Sequence, residues 1–214
     1  MAGRTADVEA FLVRLVRLDP AALVRVRYEP RHTTLWGRVP WNALVSRTVA
    51  GSSGADRDAS VADIVVRASD WLDAPAETDA RDLARADEKW RSPLPPAERD
   101  VLEVIPAVEV RRLAAAAADT LRATEAGGIA GRAVGSRVVR DALLDHVAIV
   151  VSAGPRSVEI PQRLVQAVVR MGFAAADDEP VRVLRAGPWI GLAAAFGTAW
   201  WRPAAGLTLT PTGR

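Results

Sequence analysis

The stretch FGTAWWRP, residues Phe196 to Pro203, sets two of the chain's seven tryptophans side by side, in a protein with one tyrosine and three phenylalanines. If GTAWW is a strand, Trp200 and Trp201 point to opposite faces, because successive side chains on a strand alternate. One ring then enters a core, and the other needs a second apolar surface under a linker or against the other half of the chain. Alternatively one ring stays at a partner surface with Arg202 beside it, since tryptophan and arginine are enriched among the energetic anchors of interfaces. Trp90, a bulky aromatic among charges and prolines, must fold back or await a partner. Trp90, Trp200, Trp201 and Arg202 are therefore the candidate partner-binding residues.

Working outward, PVRVLRAG alternates as a strand before this segment, and PQRLVQAVVRMGF precedes it as an amphipathic helix opened by Pro161 and closed by Gly172. VAIVVSAGPRSVEI reads as a β-hairpin turning at Gly154 and Pro155. A helix is expected over residues 136 to 146. Another follows Pro106 with Val110, Leu113, Ala114, Ala117 and Leu121 on one face, ending at Gly127 and Gly128 after the strand VLEVI.

In the N-terminal part, ALVRVRYEP has the period of two of a half-buried strand and ALVSRTVAG is a second strand. Ser60, with Asp63 three residues on, has the pattern of an N-cap for a helix through Ile64, Val65, Ala68, Trp71 and Leu72. Between residues 73 and 100 charge and proline replace apolar density, favouring extended polyproline geometry. The expected organisation is α+β, with mixed helices and mainly antiparallel strands. Two lobes, 1–73 and 101–205, are joined by a charged, proline-rich linker over 74–100, with a flexible tail over 206–214.

Composition narrows the function. Half of the 214 residues are hydrophobic and a quarter are charged, which is the balance of a folded globular chain. The pI of 9.8 reflects a cationic set that is nearly all arginine, while 28 basic residues against 26 acidic leave a net charge of only +2. The chain contains no cysteine, which excludes disulfides, thiolate metal ligands and cysteine nucleophiles. The polar, acid-bearing N-terminus lacks the apolar run of a secretory signal, and no stretch reaches the roughly 20 apolar residues of a membrane span. A cytoplasmic location without membrane contact is expected.

Chemistry-bearing motifs are sparse. His32 lies in the polar turn EPRHTT, and His146 ends a predicted helix beside Asp145, where it suits a C-terminal cap better than a general base. No HExxH or GxSxG is present, so neither a metal nor a cofactor is expected. GGIAGRAVGSR is not a phosphate-binding P-loop, because no Gly-Lys-Ser/Thr follows. With the helix SRVVRDALLDH, the following strand and VVRMGF, its residues Gly131, Arg132 and Gly135 resemble the pyrophosphate loop of the acyl-CoA-dependent N-acetyltransferase family. The likeness covers under a quarter of the chain. Arg137 stands where that family favours glycine or alanine, and a helix takes the place of the strand that leads into the loop. The resemblance implies acyl-CoA-dependent acetyl transfer.

Two helices followed by a hairpin also fit a winged-helix DNA reader, with Arg132, Arg137 and Arg140 towards the groove and Arg156 at the hairpin tip. Asp141 and Asp145 on the same helix oppose that reading. The leading expectation is a non-catalytic interaction or regulatory protein that meets a protein partner, or a second copy of itself, through a Trp/Arg surface. A DNA-binding regulator and an acyl-CoA-dependent transferase are the alternatives.

Overall fold

A computed structural model describes residues 5–50, 62–127, 136–153, 156–174 and 179–203. The first element, α1 (Ala6–Leu18), is opened by Thr5, whose hydroxyl accepts from the Val8 N–H, and carries Asp7 and Glu9 in its first turn. Both features favour a helix N-terminus. Val8, Phe11, Leu12 and Leu15 follow at helical spacing and form its buried face.

An antiparallel meander follows: β1 (Leu23–Tyr28), β2 (His32–Val39) and β3 (Ala43–Ala50). β2 and β3 are joined by Pro40, Trp41 and Asn42, and Asn42 takes the left-handed conformation (φ 62°). Asparagine tolerates this backbone better than most residues, which suits a three-residue hairpin loop. His32 therefore begins a strand instead of lying in a turn.

β4 (Ala62–Arg67) pairs with β1 along its whole length, and only α2 (Ala68–Asp73) after it is helical. This corrects the helix expected from Ile64 onward. The β-branched run Ile64-Val65-Val66 favours a pleated strand, and the cross-strand pairing overrides the local capping pattern. Asp63 accepts two 2.7 Å hydrogen bonds from the Arg25 guanidinium on β1 instead of supporting a helix start. Ser60 lies outside the described residues.

The remaining elements are β5 (Asp100–Pro106), α3 (Ala107–Gly127), α4 (Ser136–Asp145), the hairpin β6 (Val147–Ala153) and β7 (Arg156–Pro161), α5 (Gln162–Arg170), β8 (Pro180–Ala186), β9 (Trp189–Ala194) and β10 (Gly197–Trp201). The fold is α+β with mainly antiparallel strands. Eight strands form one sheet in the order β4-β1-β2-β3-β10-β9-β8-β5, while β6 and β7 form a separate ribbon. α1-β1-β2-β3 and α5-β8-β9-β10 are the same helix-plus-meander unit, meeting antiparallel where β3 pairs with β10. An outer strand flanks each unit, β4 beside β1 and β5 beside β8, so the order reads as an approximate two-fold repeat.

The two helices of this repeat lie on one face of the sheet. Phe11 of α1 stacks on Phe173, just beyond α5, with ring centroids 6.4 Å apart. They join Val24, Val26, Leu35, Val45, Leu192 and Ala199 in the main core. Removing these apolar groups from water, at about 25 cal/mol per Å², is the chief favourable contribution to the fold. The other face carries a smaller core of Trp36, Leu44, Leu184, Trp189 and Trp200. Trp200 and Trp201 do diverge: Trp200 joins this smaller core and Trp201 packs against the main one.

Candidate functional site

Residues 74–99 connect the two edges of the sheet, from beyond β4 to β5. With strands about 4.8 Å apart, eight of them are roughly 34 Å across. An extended chain of about ten residues spans that distance. The segment begins by covering the β4 edge. Ala86 N–H donates to the Val65 carbonyl at 2.8 Å, and Val65 N–H donates to Asp87 Oδ1 at 2.7 Å. Next to this, the Tyr28 hydroxyl donates to Asp79 at 2.7 Å, Arg81 forks onto the same carboxylate, and the Arg81 guanidinium lies 4.7 Å from the Tyr28 ring centroid. Burial, followed by the hydrogen bond to Asp79, holds the Tyr28 hydroxyl well above the usual tyrosine range. Burial works against the Asp79 carboxylate, but bonds from Arg81 and Tyr28 outweigh it and hold Asp79 below the usual range.

The segment then becomes a strap over the smaller core. Trp90 and Leu94 pack onto that core, Trp90 Nε1 donates to the Ser92 carbonyl at 2.6 Å, and the Arg25 guanidinium lies 5.9 Å from the Trp90 ring. Proline suits the strap because it holds extended geometry without leaving an N–H to be satisfied.

A groove of about 560 Å³ opens between strap residues Pro95 to Arg99 and strands β2, β3 and β10. Its shape follows from strand register. β3 pairs with β2 from Ala43 to Ala50, but with β10 only from Leu44 to Ser46, so Arg47 to Ala50 lie beyond β10. The β9–β10 turn brings Phe196 to this notch, 45% exposed, with the Arg47 guanidinium 5.4 Å from its ring. Arg47 is held from the other side by Asp7 of α1 at 2.6 Å.

Two donor atoms in the groove wall, Trp36 Nε1 and Arg27 Nε, make no hydrogen bond among the described residues. Trp36 is 8% exposed and its buried Nε1 has no hydrogen-bond acceptor among the described residues. Buried Arg27 Nε lies 3.4 Å from Asp63 Oδ2 without hydrogen-bond geometry. A buried donor left unmade costs about 1–3 kcal/mol, so an arriving acceptor is favoured there. Arg99 lies 5.6 Å over the Trp200 ring and donates to the Ala97 carbonyl. Among the described residues no group of three or more histidines or carboxylates could hold a metal ion.

The expected partner residues separate on this frame. Trp90 belongs to the strap. Trp200 is 1% exposed beneath it, with its Nε1 donating to Ser46 Oγ at 3.3 Å. Trp201 is half-buried on the helical side, and exposed Arg202 lies 5.5 Å over the Trp189 ring. Of the residues singled out for phosphate, Gly131, Arg132 and Gly135 lie outside the described residues. Arg137 is on α4, Arg140 is exposed on α4 and Arg156 opens β7, all within the helix–helix–hairpin excursion between β5 and α5. The sequence reading missed Trp36, Arg99 and Phe196, which come from distant segments and share no local motif. The one local signal was the alternation of Thr34, Trp36 and Arg38 along β2.

Residues 94–206 match the family described as Domain of unknown function (DUF8185), and residues 1–93 match Domain of unknown function (DUF8010). The boundary between them falls within the strap. No curated protein matches the sequence. Among solved structures, the chain is similar to the beta subunit of DNA polymerase from Streptococcus pyogenes, with a TM-score of 0.53 at 14% identity over 91% of this chain and 61% of that one. It is likewise similar to the DNA polymerase III beta chain from Streptococcus pneumoniae, with a TM-score of 0.53 at 11% identity over 91% and 62%. The DNA polymerase sliding clamp from Pseudomonas aeruginosa gives 0.52 at 10% identity over 94% and 63%. The chain thus spans about three-fifths of the length of these structures, and the likeness is one of fold. No helix among the described residues is long and apolar enough to cross a membrane.

Proposed function

The chain belongs to the DUF8185 family, and from its sliding-clamp-like fold we propose that it is a non-catalytic interaction protein that engages a protein partner through the Trp/Arg face crossed by the strap. The observation that carries this reading is the groove beside the strap, where buried Trp36 Nε1 lacks an acceptor among the described residues and the margin of β3 beyond Ser46 is unpaired by β10. An extended segment fits both features. Its main chain would pair along Arg47 to Ala50 and present a carbonyl to Trp36, and its side chains would rest on Phe196 and the Arg99–Trp200 stack. The acceptor is a backbone group, so the site recognises an extended strand more than a particular side chain.

The occupant is a separate protein or a second copy of this chain, and one experiment distinguishes them. A photo-crosslinking amino acid at Phe196 in cells should give one discrete adduct, weakened by Arg99→Ala. An adduct at twice the chain's mass identifies a second copy, whereas another mass identifies a separate partner. The reading fails if the Phe196 probe yields no more adduct than a probe at Val13, an equally exposed residue on α1.

A further inference from the structure

On the other side of the strap lies a smaller hollow of about 250 Å³, lined by Arg38, Asn42, Arg91, Ser92, Trp189 and Arg202 among others. We infer that this hollow is a binding site for the phosphate group of a small phosphate monoester or diphosphate.

The charge around it is one-sided. Several arginines elsewhere meet carboxylates: Arg25 with Asp63, Arg47 with Asp7, Arg81 with Asp79, Arg85 with Asp87 and Arg163 with Asp145. Here three guanidinium groups line one hollow with no carboxylate in its wall among the described residues. Among the described residues none of the three forms an ion pair with an acid. Three such cations close together repel one another, and an anion relieves that cost.

The remaining polar groups point to the same chemistry. Arg38 Nη2 donates to Asn42 Oδ1, which occupies the amide's acceptor and leaves its NH₂ to donate. Asn42 is fixed by its left-handed position in the hairpin loop, and its backbone N–H donates to the Val39 carbonyl at 3.2 Å. Arg202 is steered by its stack on Trp189. The donors come from three separate segments, the end of β2 with its turn, the strap and the residue after β10.

Charge count selects the class of anion. One carboxylate would leave two of the three positive charges uncompensated, whereas a phosphate monoester or diphosphate brings two or three negative charges. It also offers several oxygens for the forked donors of arginine. Leu44, Pro93, Trp189 and Pro203 supply an apolar margin for the organic part of an ester.

This site does not rest on partner docking, because small anions alone test it. Calorimetric titration of the whole chain with pyrophosphate, then inorganic phosphate, at constant ionic strength should give saturable binding, tighter for pyrophosphate. Arg91→Gln and Arg38→Gln should each weaken pyrophosphate about tenfold, the effect of losing one charge-assisted contact. Arg112→Gln, on α3, should leave binding unchanged, and circular dichroism should show all variants folded. No saturable heat with pyrophosphate, or equal weakening by Arg112→Gln, would overturn the assignment. A single-stranded oligonucleotide without a terminal phosphate that competes as well as pyrophosphate would also overturn it, in favour of nucleic-acid backbone.

Discussion

Trp41 and Arg163, 122 positions apart, exchange hydrogen bonds: the Trp41 indole Nε1 donates to the Arg163 carbonyl at 3.0 Å, and Arg163 Nη1 donates to the Trp41 carbonyl at 2.7 Å. The exchange ties the β2–β3 loop to the start of α5, and thus one helix-plus-meander unit to the other. Arg163→Ala leaves the part-buried carbonyl of Trp41 without its donor and should cost about 1–3 kcal/mol. Trp41→Phe keeps most of the ring and removes one donor, so about 1 kcal/mol is expected. Urea unfolding checks both, and the wild type should unfold in one transition. A Trp41→Phe variant as stable as the wild type would show that the indole bond contributes nothing.

The Tyr28–Asp79–Arg81 cluster makes stability pH-dependent at both ends. Asp79 is held below the ordinary carboxylate range, so its contribution is present above about pH 4, the unfolded value, and is lost as pH falls through the folded one. Tyr28 is held above the ordinary tyrosine range, so its contribution is complete below about pH 10 and is lost as pH rises beyond it. The chain has one tyrosine, so phenolate absorbance reports Tyr28 alone. The phenolate should appear only with unfolding, and Asp79→Asn should flatten the acid limb of the stability curve. A folded protein in which Tyr28 titrates near pH 10 would contradict this.

Gly191 pairs across β9 and β10 with Trp200, whose ring covers it. A Cβ at position 191 would lie 2.7 Å from two Trp200 ring carbons. Trp200 is enclosed by the strap and cannot move freely, so Gly191→Ala should destabilise by about 1–3 kcal/mol, as overpacking does. Thermal melting measures the loss, and an unchanged melting temperature would mean that the ring is not confined.

Nucleic acid, read from the arginines between 132 and 156, makes a separate prediction. Binding through Arg137 and Arg140 would fall steeply with salt and weaken with Arg137→Ala. If the groove beside the strap is the interaction surface instead, affinity for duplex DNA is weak and unchanged by Arg137→Ala, as measured by fluorescence anisotropy at two salt concentrations. A steep, Arg137-dependent salt slope would favour the winged-helix reading.

Much of the fold was legible because its signals are local. The alternation in β1, Pro161 and Gly172 around α5, and the paired tryptophans that must part to opposite faces each follow from a few neighbouring residues. β4 was misread because Ser60 and Asp63 imitate a helix start, while the pairing that makes Ile64 to Val66 a strand comes from β1, about forty residues earlier. β2 was missed because His32 to Thr34 are all polar and show no apolar alternation. The groove was the least legible feature, since Trp36, Thr48, Arg99 and Phe196 meet only after the strap has crossed the sheet. Trp90 carried a hint of the strap, as a large aromatic in a charged segment that had to fold back onto something.

Because the chain has no cysteine, a single introduced cysteine gives the most direct test of the groove as the docking site. Thr34→Cys places a thiol in the groove wall, and Val13→Cys places one on the exposed side of α1. Each would be labelled with the same bulky maleimide and titrated against the species captured through Phe196. With the groove as the docking site, the label at position 34 should abolish binding while the label at position 13 leaves it unchanged. Equal binding by both labelled proteins would rule the groove out and place the interaction elsewhere on the molecule.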